Sequence, residues 1–336
     1  MVNDPPPFAG VDPDNGLIFA VDLPGRADNF DPPADWDALA ARGTPESPVW
    51  IHLDRTKPRA QAWLREQSGL DIIDAQALLA EETRPRTVRR ETGSLVILRG
   101  VNLNAGAEPD DMIAIRMWIE PRRIITLRQY RFLTIRELRE RAVEGQAPGS
   151  TAGVALAIAE GITTRLRPVV DNLVGLLDEA ETRLSTESPH EDDASVIAEV
   201  RRQSITLRRF LVPQRDMFLA HAADTNERAD KYRRELHELA DRTARVVEDL
   251  EEIRDRAQVA QDELRAQRER QTGRTTYLLT LVAAIFLPLG LLTGLLGINV
   301  GGMPGANEPW AFWVVTSLLV VMAAGLAWAF RRAGWL

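Results

Sequence analysis

The sequence predicts an α+β unit, with a mixed sheet between helices, followed by a long stalk helix and a two-helix membrane hairpin. Two runs near the C-terminus predict the hairpin, because residues 277–297 and 310–330 each hold 21 residues without a charge. A helix of about 20 apolar residues crosses a hydrocarbon core. Strand-like runs before residue 147 predict the sheet, and the absence of proline between Pro213 and Pro288 predicts the stalk.

Length and composition bound the rest of the chain. At 336 residues it allows about two units of ~150 residues each. The net charge of −8 argues against nucleic-acid binding and suits the attraction of cations. The absence of cysteine leaves no disulfide and no thiolate metal site, which suits a cytosolic bulk. No signal peptide is expected, because the first residues carry neither a basic region nor an apolar core.

Turn-flanked runs place the elements of the first unit, which we expect to span 16–147 after a flexible segment 1–15. The last four strands follow one another, with turn signals at Thr92-Gly93 and Glu120-Pro121, so they should form an antiparallel meander. Strands are predicted at 16–23, 48–54, 87–91, 94–103, 112–119 and 122–128, and helices at 59–67, 72–81 and 131–143.

Only helical patterns remain after residue 150, which predicts a helical hairpin and stalk over 151–275. Pro168 should kink the first of these helices, and Pro213 should interrupt the second. Helices are predicted at 151–186, 194–223 and 226–297, followed by membrane spans at 276–297 and 310–330, a connecting loop at 298–309 and a basic tail at 331–336.

The stalk carries a heptad pattern with 3–4 spacing, which predicts a coiled-coil or bundle seam. Its positions are Leu236, Leu239, Thr243, Val246, Leu250, Ile253, Ala257, Ala260 and Leu264.

The first span carries a different stripe, which lies about 200° around the helix from the seam. Small residues on a membrane helix allow close helix packing, and they also suit the wall of a pore, so the pattern leaves both interpretations open. The stripe consists of Gly273, Thr276, Thr280, Ala283, Leu287, Gly290, Gly294 and Gly297.

Charges beside the spans predict the orientation of the hairpin. Arginines precede the first span and follow the second, whereas the connecting loop has no Lys or Arg. The positive-inside rule therefore places both termini in the cytoplasm and the loop outside.

The end of the first span, Gly297-Ile298-Asn299 followed by Gly301-Gly-Met-Pro-Gly305, resembles the CorA-type divalent metal transporter family, and in particular its ZntB-like zinc branch. The ending Arg331-Arg-Ala-Gly-Trp-Leu336 and the cytosolic segments 50–53, 99–104 and 123–128 are also similar. This resemblance implies a homopentameric funnel in a bacterial inner membrane, with the first spans around a pore and the second spans outside them.

The resemblance also assigns the residues of the pathway. Asn299 becomes the residue at the pore mouth, where five amide oxygens would accept hydrogen bonds from the water shell of a cation. Asn is also tolerated at a helix C-terminus, so a capping role stays open. The implied pore residues are Asn299, Ile298, Gly297, Gly294, Gly290, Leu287, Thr280 and Thr276.

Two of these positions bear on selectivity and gating. Many magnesium-branch members have Thr at the position of Gly290, so this chain lacks a polar ring at that depth. Leu287 is the bulky residue of the membrane stripe, which makes it a candidate hydrophobic constriction or, alternatively, an ordinary packing residue.

Remaining polar residues give further hypotheses. Glu308, the charged residue of the loop, could concentrate cations at the mouth or be an ordinary exposed acid. Imidazole and carboxylate groups suit zinc, although each could equally be solvated surface. The candidate metal ligands are His190, Asp192 and Asp193 on a turn, and His237 with Asp241 one helical turn later.

The sequence contains no catalytic spacing and no P-loop, so we expect a transporter without a catalytic cofactor rather than an enzyme. Zinc is the expected ion, with Mg²⁺, Co²⁺, Ni²⁺ and Cd²⁺ as further candidates. A proton gradient or the metal gradient would supply the driving force. A magnesium or cobalt channel and a membrane-tethered coiled-coil scaffold are the alternatives.

Overall fold

The computed structural model describes residues 16–24, 36–81, 83–186, 192–223, 230–297, 305 and 308–334. The chain divides into two compact units, Met1–Gln261 and Asp262–Leu336, and the division falls inside one helix. The N-terminal segment predicted as flexible lies outside the described residues. The predicted segment boundaries stay predictions.

A six-stranded mixed sheet forms the centre of the first unit, in the order β1-β2-β6-β5-β4-β3. The predicted antiparallel meander is confirmed, because β3, β4, β5 and β6 pair in succession. The sheet also contains a parallel pair, β2 with β6, which the sequence patterns do not reveal. The strands are β1 (Leu17–Asp22), β2 (Val49–Asp54), β3 (Arg86–Arg89), β4 (Ser94–Gly100), β5 (Ile113–Ile119) and β6 (Arg123–Arg128).

Nine helices occur within the described ranges, and the shortest of them, α1, was not predicted. They are α1 (Trp36–Ala41), α2 (Pro58–Glu66), α3 (Ile72–Leu79), α4 (Leu133–Val143), α5 (Thr151–Thr164), α6 (Leu166–Ser185), α7 (Asp193–Ala222), α8 (Asp230–Leu296) and α9 (Ala311–Arg332).

The two predicted proline effects have different outcomes. The kink near Pro168 is confirmed, since α5 ends at Thr164 and α6 begins at Leu166. In a continuous helix the ring of Pro168 would clash with the carbonyl of Thr164, and proline has no N–H to donate to that carbonyl. The interruption at Pro213 is wrong, because α7 continues through it. Its neighbour Gln214 is buried, and its Oε1 accepts a 2.8 Å hydrogen bond from the backbone N–H of Arg99. Tertiary contacts beside the proline therefore hold the helix together.

Apolar side chains cover both faces of the sheet. One face, which includes Trp50 and Ile115, packs with residues of α4, α5 and α7. The opposite face, which includes Ile51 and Leu127, packs with residues of α1, α2 and α3, among them Trp63. Burial on both faces explains why these strands read as nearly continuous apolar runs rather than as alternating ones.

The heptad seam of α8 is buried within the chain itself from Leu239 to Ala260. Ion pairs flank it, because Arg256 lies 2.6 Å from Glu181 of α6, and Arg208 of α7 lies 2.6 Å from Glu251. The seam is therefore the packing face of an intramolecular helical bundle. Of the two predicted possibilities, a coiled coil or a bundle seam, the structure shows the bundle for this stretch of the helix.

The second unit contains the end of α8 and all of α9. Both helices are long and apolar enough to cross a membrane. Their large side chains are mostly exposed, including Phe286 on α8 and Trp313 on α9. This is the expected state of helices whose surroundings are lipid or further protein.

Candidate functional site

The stripe of small residues lies on the part of α8 that belongs to the second unit. Seven of its eight positions are exposed, and Ala283 is half-buried. Leu287 is 71% exposed, so it is not a packing residue within its own chain. The stripe thus forms an open face along the apolar part of the helix.

Three of the four glycines of this stripe are not needed for packing inside the chain. A Cβ atom added at Gly273, Gly290 or Gly294 would meet no heavy atom within 4 Å among the described residues. Close helix packing within one chain therefore does not explain the small side chains. Their remaining neighbours are other copies of the chain, lipid, or the contents of a pore.

A second face of α8 packs within the hairpin unit. Leu281 is only 8% exposed, and Ala284, Ile285, Pro288 and Leu292 are half-buried. These residues recur at helical spacing, and their mean direction lies more than a third of a turn from that of the stripe, with Ala284 nearest to it at about a quarter of a turn. Half-buried residues recur in the same way on α9, from Ala311 to Phe330. The open stripe and the packed face of α8 are thus separate.

Polar atoms of the stripe are partly satisfied by the helix itself. The hydroxyl of Thr280 donates a 2.9 Å hydrogen bond to the carbonyl of Thr276. A hydroxyl oxygen that donates its proton inward keeps lone pairs to accept hydrogen bonds from water. The exposed threonines can therefore bind water of a hydrated ion, although they offer no charge.

Two acidic residues that the sequence reasoning missed continue the stripe toward the first unit. Asp262 and Glu269 are exposed, and they precede Thr276 by two heptads and one heptad. Residues seven apart lie within about 20° of each other on a helix, so both carboxylates share the direction of the stripe. Extending the stripe upstream by its own heptad would have found them.

The candidate metal ligands do not form a cluster among the described residues, which contain no group of three or more His, Asp or Glu side chains able to hold a metal. Asp193 is 1% exposed, and its carboxylate lies 2.8 Å from Arg183. Asp192, His237 and Asp241 are exposed. His190 lies outside the described residues. A metal role for these residues stays a prediction.

Two of the predicted pathway residues, Ile298 and Asn299, also lie outside the described residues. Glu308 is exposed, and its backbone N–H donates a 3.0 Å hydrogen bond to the carbonyl of Gly305. The roles assigned to these residues stay predictions.

A buried histidine lies in the sheet of the first unit. His52 is fully buried, and its Nδ1 lies 2.7 Å from the hydroxyl of Thr126, which also accepts a hydrogen bond from the indole of Trp50. Burial, followed by the nearby charge of Arg128, lowers the pKa of His52 well below its usual value of 6.5. The ring is therefore neutral in the folded protein near pH 7.

Buried arginines support the end of α3. Arg116 of β5 donates to the carbonyls of Ala80 and Glu81, and Arg55 donates to the carbonyl of Leu79. Burial and the neighbouring Arg55 and Arg99 lower the pKa of Arg116 to about 10, so it stays charged at neutral pH. Cations at the C-terminal carbonyls of a helix complement its dipole, which gives this group a structural role.

Together these features describe a chain with a mixed-sheet unit, two helices long and apolar enough to cross a membrane, and an open stripe of small residues on the first of them. The chain belongs to the family described as CorA-like Mg²⁺ transporter protein, whose model matches residues 45–332. The predicted family is thereby confirmed, and it is a family of transporters rather than enzymes.

Individual relatives cover nearly the whole chain. The divalent cation transporter CmaX of Pseudomonas aeruginosa is 38% identical over 298 residues, which is 87% of this chain and 89% of the relative. The zinc transport protein ZntB of Pectobacterium carotovorum is 34% identical over 332 residues, covering 98% and 99%. The structure of full-length CmaX superposes with a TM-score of 0.80 at 36% identity, covering 96% of this chain and 98% of that one.

Proposed function

We propose that five copies of this chain form a transporter for zinc and other divalent cations, with the stripe of α8 lining the pore. The pentamer lies in a bacterial inner membrane, with the soluble unit and both termini in the cytoplasm. The membership of the chain in a transporter family and its similarity to proteins named as zinc and divalent cation transporters support this proposal.

The single observation that carries the proposal is the open stripe. Gly273, Gly290 and Gly294 have no neighbour within 4 Å of a Cβ position among the described residues, although glycine lowers helix stability by about 1 kcal/mol relative to alanine. Small residues that serve no packing inside the chain are explained when several copies place them around a narrow aqueous path.

The chemistry of the stripe suits a hydrated ion. Threonine hydroxyls bind the water shell without holding the ion, and five copies of Leu287 form an apolar collar. A divalent ion loses water reluctantly, so a dry collar opposes its passage until the collar widens or becomes wet. On the cytoplasmic side, Glu269 supplies negative charge that concentrates cations, whereas the carboxylate of Asp262 lies 3.8 Å from the guanidinium of Arg265 on the same face of the helix.

The zinc preference is the finer part of the proposal. It rests on the ZntB relatives and on Gly290. Many members of the magnesium branch have Thr at this position, so the present chain lacks the ring of hydroxyl groups that those transporters would form there. The family description names Mg²⁺, so a magnesium or cobalt channel is the second candidate. A scaffold could use the stripe only for close packing between copies, and it does not account for membership in a transporter family.

Reconstitution of the full chain in liposomes tests the proposal. Uptake of Zn²⁺, Mg²⁺ and Co²⁺ should be measured with and without a pH gradient, and the mass of the detergent-solubilised oligomer should be determined. We expect a pentamer and zinc uptake that exceeds the leak of empty liposomes. A monomer or dimer would contradict the pore, and uptake of Mg²⁺ without Zn²⁺ would favour the second candidate. A response to the pH gradient would identify proton coupling.

Replacing Asn299 by alanine tests the pore mouth. We expect loss of transport or of ion preference with the oligomer intact, because the variant removes five amide groups. Asn307→Ala changes another amide of the same loop and serves as the matched control. Wild-type rates and preference in Asn299→Ala would contradict the role assigned to this residue.

A further inference from the structure

Four arginines lie where the two helices of the second unit reach their shared end. Arg270 and Arg274 belong to α8, and Arg331 and Arg332 to α9; all four are exposed. We call this group the basic collar. Among the described residues, no carboxylate forms an ion pair with any of the four within 4.0 Å, and the described stretch from 270 to 305 contains no acidic residue.

Helix lengths place the arginines of the basic collar at similar distances from the connecting end of the hairpin. Arg274 lies 22 residues before the end of α8 at Leu296, and Arg332 lies 21 residues after the start of α9 at Ala311. At 1.5 Å per residue both are about 32 Å from the connecting end of the hairpin, close to the ~30 Å thickness of a hydrocarbon core. Arg270 lies about 6 Å beyond Arg274, within the ~5–8 Å depth of a headgroup layer.

Helical register separates the collar from the stripe. Arg270 and Arg274 each precede a half-buried residue of the packed face, Pro288 and Leu292, by 18 residues. Eighteen residues make five full turns, so these arginines point in the direction of the packed face. They lie about a third of a turn or more from the mean direction of the stripe, so they do not belong to the proposed ion path.

The aromatic setting also indicates a membrane interface. The guanidinium of Arg332 lies 5.5 Å from the ring centroid of Trp328, which is itself exposed. Tryptophan prefers the headgroup level of a bilayer, and an arginine stacked on it is held at that level. The helix dipole accounts for cations at the end of α9, but it does not account for Arg270 and Arg274, which lie inside α8.

We propose that the basic collar binds the phosphate headgroups of anionic phospholipids in the cytoplasmic leaflet. This inference rests on the membrane-spanning hairpin of the proposed function and adds a specific lipid partner to it. A guanidinium offers paired donors to phosphate oxygens, and four of them at one depth match a negatively charged leaflet. The nearest acid on this face of α8, Glu263, lies seven residues, or about 10 Å, before Arg270.

Lipid binding by the purified full-length protein tests the proposal. Phosphatidylglycerol and phosphatidylcholine should be titrated into detergent-solubilised protein, and binding should be followed by native mass spectrometry. We expect preferential binding of phosphatidylglycerol to the wild type. Each arginine near a charged leaflet is worth a roughly fivefold change in affinity, so R270Q/R274Q should lose about 25-fold.

Matched variants exclude simpler explanations. R265Q removes one positive charge from α8 about 14 Å before Arg274 and should retain wild-type binding, whereas the single variant R274Q should lose roughly fivefold. R331Q/R332Q should reproduce the loss from the other helix, which keeps the test valid if R270Q/R274Q does not assemble. Unchanged phosphatidylglycerol binding in both double variants would overturn the proposal.

Two further arms separate the sources of phosphate and the two proposals. Glycerol phosphate and inorganic phosphate at millimolar concentration should not displace the lipid, and displacement by either would identify a soluble-anion site and overturn the lipid assignment. Zinc flux is measured on the same preparations. Lipid binding without zinc flux would contradict only the proposed transport function. Zinc flux without a preference for phosphatidylglycerol would contradict only the proposed lipid binding by the basic collar.

Discussion

The two units of this chain differ in the burial of their large apolar residues. In the first unit Trp63 is 0% exposed between a helix and the sheet, whereas Trp313 in the second unit is 69% exposed. The first unit completes its core with its own residues. The second unit leaves its apolar faces open, which is stable only when lipid or other protein covers them. Folding of the first unit is thus encoded within one chain, and the function proposed for the second requires surroundings that one chain does not supply.

The largest expected effect breaks the core of the first unit. Trp63→Ala should lower the free energy of unfolding by about 3–5 kcal/mol, because it leaves a cavity and removes the hydrogen bond from its indole to the carbonyl of Trp36. Hydrogen exchange of the sheet amides in the full-length protein measures this loss. Trp313→Ala, the control, should leave exchange in the sheet unchanged, and equal effects would show that the units are not independent in this respect.

The next effect concerns the apolar constriction proposed at Leu287. Leu287→Asn should admit water to this constriction and raise divalent ion flux in liposomes, on the order of tenfold if the barrier to passage falls by ~1.4 kcal/mol. Leu278→Asn is the matched control, because Leu278 is also exposed, at 52%, and lies nine residues or two and a half turns away. Unchanged flux in Leu287→Asn at matched oligomer content would place the gate elsewhere.

A smaller effect concerns His52 in the first unit. Its pKa is lowered by burial, so the folded chain keeps the ring neutral while the unfolded chain binds a proton below pH ~6.5. Stability is therefore present above this pH and falls as the pH decreases, by about 1 kcal/mol between pH 6.5 and 5.5. Hydrogen exchange against pH checks this slope. His52→Phe should be less sensitive to acid over this window, and an unchanged slope would exclude His52 as its cause.

The smallest expected effect concerns the acidic residues that continue the stripe. Glu269→Gln should lower cation flux two- to threefold at ~10 mM salt and have little effect near 1 M, where the Debye length is about 3 Å. Glu263→Gln removes an exposed charge six residues earlier, about a third of a turn away, and should change flux less. Equal losses would mean that net charge rather than position matters.

Local patterns predicted most of the secondary structure. The meander from β3 to β6 follows from successive strands with turn signals between β3 and β4 and between β5 and β6, and α5 ends where Pro168 removes a hydrogen-bond donor. The stripe follows from small residues at helical spacing. Each of these features depends on neighbours within a few residues, which is why the sequence reveals them.

Other features depend on contacts between distant residues. The pairing of β2 with β6 joins residues more than 70 positions apart, and α7 continues through Pro213, beside which Gln214 accepts a hydrogen bond from the backbone N–H of Arg99 in β4. Asp262 and Glu269, by contrast, lie on the stripe through local helical period alone, upstream of its first predicted residue, Gly273.

The sequence by itself determined the two candidate membrane spans, the long helix, the sheet elements and the family, because length, charge-free runs and helical period are properties of the chain. Only the tertiary structure decided which repeating faces find partners inside one chain. The heptad seam is buried against α6 and α7, and the glycine stripe stays open. Periodicity identifies a helix face that is suited to packing against another element. Whether that face is buried depends on which distant elements fold onto it, which is a property of the whole fold.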